Sequence, residues 1–99
     1  MVIYHVTYTP REGCREAFLA KLEELQVAQK SRAEEGNLGY AYYFPADGGE
    51  EIFLVERWES AAAQEAHTHS VHFQALGKIK GDYIADTCLQ IYEAQLSNV

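Results

Sequence analysis

The residues best suited to chemistry lie close together. His67, His69 and His72 fall within the run His-Thr-His-Ser-Val-His, with Glu56 and Trp58 a short distance upstream. Histidine is the side chain whose ordinary pKa sits near neutral pH, so it is the natural acid/base candidate. Three imidazoles also invite a metal. Metal-binding helices usually present ligands four residues apart so that both face one ion, whereas the spacings here are two, three and five. A helix break near Ser70 would send the three rings apart. The nearest carboxylate in the run is Glu65, and no cysteine is close. No metal is expected.

Other reactive patterns are missing. There is no G-x-S-x-G and no glycine-rich phosphate loop. Neither Cys14 nor Cys88 has an electropositive setting, and the two lie too far apart in sequence for a metal or redox pair. Glu56 and Glu59 are three apart on an expected strand and point to opposite faces. What remains is His67, where one short helix ends, with His72 at the start of the next, beside Glu56 and Trp58 on one strand face. The ordinary alternative for His67 is a bond to the exposed carbonyls of a helix end. His69 reads as a solvated loop residue.

Composition narrows the partners. The chain has 99 residues, 47% apolar and 23% charged, which suits one globular domain over 1–99. Eight Lys plus Arg against fifteen Asp plus Glu give a net charge of −7. Lys78 and Lys80 form a close basic pair but the sequence holds no cluster of cations, so neither nucleic acid nor an anionic membrane surface is an expected partner. No apolar run approaches the roughly 20 residues that span a bilayer. The opening Met-Val-Ile-Tyr-His-Val-Thr-Tyr lacks the pattern of a signal peptide. A cytoplasmic location with free thiols is expected. Seven Tyr, four Phe and one Trp are many for so short a chain, and aromatic strand packing is the plain reading.

These side chains must be held by elements legible from periodicity. Val2 to Thr9 alternates as a strand, with Val2, Tyr4, Val6 and Tyr8 on one side. Thr9-Pro10-Arg11-Glu12 fits a capping box, with Gly13 allowing a later helix start. Cys14, Phe18, Leu22, Leu25 and Ala28 recur at helical spacing, predicting one helix to about Glu35 that ends at Gly36. Tyr40 to Pro45 and Glu51 to Glu59 form a hairpin around Asp47-Gly48-Gly49. Ser60 caps a short helix over Ala61 to Ala66. Ser70 caps another, with Phe73, Leu76 and Ile79 on one face, that ends at Gly81. Tyr83 to Ala94 is the last strand. The order β-α-β-β-α-β predicts an α+β, ferredoxin-like split sheet with helices on one face. A chain this short buries only about two thirds of its unfolded surface. The other, aromatic sheet face needs cover, and a second copy is the simplest, so a homodimer is expected.

Residues 56 to 73 carry E-x-W-x-S followed by A-H-x-x-S-x-H-F, and residues 34 to 40, Glu-Glu-Gly-Asn-Leu-Gly-Tyr, carry E-x-G-x-x-x-Y. Both patterns, in the same element order over nearly the whole chain, resemble the antibiotic biosynthesis monooxygenase family. The resemblance implies a dimeric α+β barrel. It also implies a cofactor-independent monooxygenase that oxidises a quinol or polyphenolic aromatic with molecular oxygen, without metal or flavin. Members with a similar histidine motif isomerise small phosphorylated signalling molecules, and a non-catalytic ligand-binding or stress-response module is a third possibility. A haem-degrading branch uses an Asn-Trp-His set. Here His67 stands where that tryptophan would be and Gly77 near the histidine, which removes its diagnostic residues.

Within the oxygenase reading, His67 is the base or the hydrogen-bond partner of the substrate oxygen. Trp58 is a wall that stacks on the ring and excludes water, and His72 and Asn37 donate to the developing charge. Tyr40 and Tyr42 share a strand face and offer phenolic hydrogen bonds, with Glu56 and Phe73 as further substrate contacts. A phosphorylated substrate calls for a nearby cation, and Arg57 faces away from Trp58, which favours a neutral aromatic.

Overall fold

The computed structural model describes residues 1–98. β1 (Val2–Pro10) leads to α1 (Arg15–Glu24) and α2 (Val27–Arg32). β2 (Asn37–Tyr43) and β3 (Ile52–Trp58) follow, then α3 (Ala61–Thr68), α4 (Val71–Tyr83) and β4 (Ile84–Glu93). The four strands form one antiparallel sheet in the order β2-β3-β1-β4, the arrangement of a ferredoxin-like split fold. The expected fold class is thereby met.

Strand alternation decides which side chains reach the helices. Tyr4 stands opposite Glu56 and Val6 opposite Leu54, while Tyr40 stands opposite Glu56 from the other side. The helix-facing set therefore holds Val6, Tyr8, Tyr40, Ile52, Leu54, Glu56 and Trp58, all buried. Phe18 and Leu22 of α1 and Val27 and Ala28 of α2 complete the core, together with Leu76 of α4. Burying one large apolar side chain in such a layer contributes about 1.5–3 kcal/mol. The opposite face carries His5 at 5.1 Å from Phe53 and 4.9 Å from Tyr92, ring centre to ring centre.

The first helical segment differs from its prediction. It is two helices, broken at Gln26, whose φ of 52° is left-handed. An unbroken helix would carry Val27 well round from the Leu22 face, since five residues turn through about 500°. The break re-aims α2 so that Val27, Ala28 and Ser31 all point inward. The Thr9-to-Glu12 capping box does not form. The strand runs on to Pro10, and α1 begins after Cys14 without a side-chain cap. The two later caps do form: Ser60 Oγ accepts from the Ala63 N–H and Ser70 Oγ from the Phe73 N–H, each at 3.1 Å. α4 continues through Gly81 to Tyr83. No helix among the described residues is long and apolar enough to cross a membrane.

Candidate active site

Two capped helices and one strand face build the site. Ser60 starts α3 so that its last turn carries His67 inward, and Ser70 starts α4 one residue before Val71, which aims His72 at the same place. Gly36, with φ of +83°, turns the chain into β2 against α3. A Cβ there would lie 2.6 Å from that of Ala63, so the turn must be bare for α3 to pack. The residue this turn leaves facing both histidines is Glu34.

Glu34 Oε2 lies 2.5 Å from His67 Nδ1 and 3.2 Å from His72 Nε2. The expected divergence of the three histidines is thus corrected. His67 and His72 converge on a carboxylate from a distant part of the chain, and only the exposed His69 turns away, to Glu65 at 3.2 Å. The helix break causes this, because it brings the end of α3 and the start of α4 around one point. Donor atoms of Glu34, His67 and His72 lie within 4.8 Å of one another. Two imidazoles and a carboxylate are a donor set suited to a divalent metal. In this arrangement each donor is satisfied by another member of the set.

A second carboxylate stands on the other side of His67. Glu56 Oε1 is 3.9 Å from His67 Nε2 and accepts a 3.1 Å hydrogen bond from the Trp58 indole N–H. Burial is the main reason that Glu56 is pushed up to about 7; the charge of Glu34 adds to it and the Trp58 bond opposes it. Burial pulls His67 down, outweighing the pull of Glu34 in the other direction. At neutral pH His67 is then neutral and donates from Nδ1 to the Glu34 carboxyl, while Glu56 is poised between its two states.

Beside this trio a cavity of about 360 Å³ opens between sheet and helices. Glu56, Tyr4, Val6, Phe73, Leu89 and Ile91 are among its walls, with Gln64 and Thr68 from α3. Of the site residues expected from sequence, Glu56 and Phe73 line this space. His67 (2% exposed) and Trp58 (0%) stand behind Glu56, and His72 is turned to Glu34. The rings do cluster: His67 lies 4.8 Å from Trp58, 5.2 Å from Phe73 and 5.9 Å from Tyr40. Tyr40 and Tyr42 pack edge to face at 5.9 Å, and burial raises both phenols, Tyr42 to about 12, so both are neutral donors. Asn37 turns instead to its own strand, where its amide donates to the Gly39 carbonyl at 3.3 Å. Arg57 lies on the outer face as expected and donates to the Leu38 carbonyl.

Sequence reasoning gave Glu34 no role. Its signal was present, since it opens the E-x-G-x-x-x-Y pattern. Its meaning needed the long-range pairing with α3 and α4.

Comparison with known proteins agrees with this architecture. The chain is 32% identical over 97 residues to the "Putative monooxygenase YcnE" of Bacillus subtilis (strain 168), spanning 98% of this chain and 99% of that one. The structure of Rv0793 from Mycobacterium tuberculosis superposes with a TM-score of 0.84 at 30% identity, covering 98% of this chain and 96% of the other. The "Putative antibiotic biosynthesis monooxygenase from Nitrosomonas europaea" shares the fold at a TM-score of 0.87 and 21% identity, over 97% of this chain and all of that one. The sequence profile for antibiotic biosynthesis monooxygenases matches residues 1–78, from β1 through most of α4. With the Glu34 turn, the Trp58 strand and both histidines inside that match, the chain belongs to the antibiotic biosynthesis monooxygenase family.

Proposed function

We propose that the protein is a cofactor-independent monooxygenase that oxidises a quinol or polyphenolic aromatic with molecular oxygen. The observation that carries this reading is Glu56. It is a carboxyl raised to about 7, on the wall of an aromatic-lined cavity, and backed by His67 and Trp58. Ground-state oxygen reacts slowly with a neutral phenol and faster with a phenolate. The protein must therefore take a proton in a dry place and hold the anion that results.

Glu56 is the group that meets the substrate, and His67 supports it from behind. The phenol proton passes to Glu56, and the phenolate gives an electron to oxygen. A C–O bond then forms at a neighbouring ring carbon, and Glu56 returns the proton to the new hydroperoxide. Loss of the ring C–H proton breaks the O–O bond. A hydroquinone plus oxygen thus yields a hydroxyquinone plus water. Glu34 fixes the His67 tautomer through Nδ1 and, with His72, keeps the ring in place. The His67 of the sequence reading becomes a positioning residue in this scheme, and Trp58 a donor that keeps the Glu56 oxygen oriented rather than a stacking wall.

A second copy covers the outer sheet face in this reading. That face presents Phe53, Val55, His5 and the exposed Tyr43 and Tyr92, and the edge strand β4 is exposed on both sides. Such an apolar aromatic surface favours association.

Oxygen uptake with a hydroquinone panel tests the oxygenase chemistry. Wild type is expected to consume oxygen, and His67→Ala to slow it by about 10–100-fold while keeping the Glu56-dependent rise with pH. A wild-type chain inert towards every quinol refutes the proposal.

A further inference from the structure

The cavity has a second polar end. β1 runs along its floor: Tyr4 stands opposite Glu56, and four residues on, Tyr8 stands opposite Thr87 of β4. At about 3.3 Å per residue these two ends lie about 13 Å apart. At the far end Lys80, half-buried on α4, holds its ammonium 5.9 Å from the centre of the Tyr8 ring and, with Thr87, lines the same cavity. Between the ends the walls are Val6, Leu89, Ile91 and Phe73. A cation in the last turn of a helix is ordinarily explained by the helix dipole. Lys80 differs in its setting. It borders an apolar groove whose β4 wall is open to solvent, and no carboxylate lies within 4.0 Å of it among the described residues. In a chain with fifteen acidic residues against eight basic ones, an unpaired lysine inside the cavity is the natural counterion for a ligand.

We infer that Lys80 and Thr87 form an anion-binding subsite, so that the cavity takes an aromatic whose hydroxyl meets Glu56 and whose carboxylate, on a short chain, meets Lys80. This deepens the proposed oxygenase function and rests on it for the role of the hydroxyl end. One ammonium and one hydroxyl match a monoanion. A phosphate dianion seeks an arginine fork or several N–H donors, and the carbonyl end of α4 beside Lys80 repels a dianion more strongly than a monoanion. The expectation of a wholly neutral aromatic, drawn from Arg57 facing away, is thereby amended, because the cation sought is Lys80. The spacing also sets a length: the ring alone cannot bridge both ends, and a ring with a chain of a few carbons can.

The test uses four hydroquinones of matched length, ending in carboxylate, methyl ester, phosphate and ammonium, with binding measured by calorimetry and turnover by oxygen uptake. Wild type is expected to bind the carboxylate about tenfold more tightly than the ester. Lys80→Gln should bring the two to parity, Lys80→Glu should favour the ammonium, and Lys80→Arg should keep the wild-type order. Thr87→Ala should cost about threefold for the carboxylate alone. An unchanged carboxylate-to-ester ratio in Lys80→Gln overturns the subsite, as does failure of all four compounds to bind. Tighter binding of the phosphate overturns the carboxylate assignment. Should the binding ratios hold with no oxygen uptake, the oxygenase reading fails and the subsite stands. Should uptake proceed with no charge preference, the subsite fails and the oxygenase reading stands.

Discussion

Replacing Glu56 by glutamine separates its two roles, as a costly buried acid and as the base. The amide keeps an oxygen for the Trp58 N–H but cannot ionise. In the unfolded chain Glu56 ionises at the ordinary value of 4.5, and in the folded chain at about 7. Between those values the folded protein keeps a proton the unfolded chain has lost, so this group's contribution to stability falls as pH rises through the window. Above pH 7 the carboxylate is buried in full, at a cost of about 3 kcal/mol. His67 acts with the opposite sign. Its folded pKa lies below the ordinary 6.5, so its contribution is present above that value and is lost as pH falls below it. Glu56→Gln is therefore expected to stabilise the protein at pH 8 and to give no gain at pH 4.5. For a domain of this size the gain corresponds to a rise in Tm on the order of 10 °C. The variant should lose oxygenase activity by about 10²–10⁴-fold. Wild-type kcat/KM should climb with pH around 7 as the base forms. Thermal unfolding followed by circular dichroism from pH 4.5 to 9, beside oxygen uptake, reads both effects. Parallel Tm–pH curves for the two proteins, or a Glu56→Gln variant less stable at pH 8, would mean that Glu56 is not a costly buried acid.

Other outcomes follow from the same contacts. Glu34→Ala removes the acceptor shared by His67 and His72, leaves two buried ring donors unpaired, and should cost about 1–3 kcal/mol in chemical denaturation. It should also lower the Glu56 value by removing a neighbouring negative charge, visible as an earlier rise in the pH–rate profile; an unshifted profile would contradict that coupling. Phe53→Glu places a charge beside His5 on the outer sheet face and should halve the mass seen by light scattering. A wild-type protein already at 11.2 kDa in solution would contradict the homodimer.

The strands and the two serine caps were legible because each rests on local chemistry. Alternation over Val2 to Thr9 and Glu51 to Glu59 decides which side chains face the helices, and Ser60 and Ser70 precede apolar helical repeats. The break at Gln26 was not legible, since nothing in its own type demands a left-handed conformation; burial of Val27 and Ala28 decides it. At the site, His67, Trp58, Glu56 and Phe73 were found by pattern and do gather. Their division of labour was hidden because depth belongs to packing. Sequence placed Trp58 and His67 beside a cavity, and the structure puts Glu56 between them and that space. Lys80 carried a faint signal, seven residues after Phe73 and so on the same helix face, yet its charge suggested solvent.

In the proposed reaction Glu56 starts the transfer of one oxygen atom from molecular oxygen to an aromatic ring. Mass spectrometry of the product formed under ¹⁸O₂ measures this directly. A hydroxyquinone carrying one heavy oxygen in wild type, with its formation rate collapsed in Glu56→Gln, is the expected result. Product without label, or equal labelling rates in the two proteins, would contradict the account.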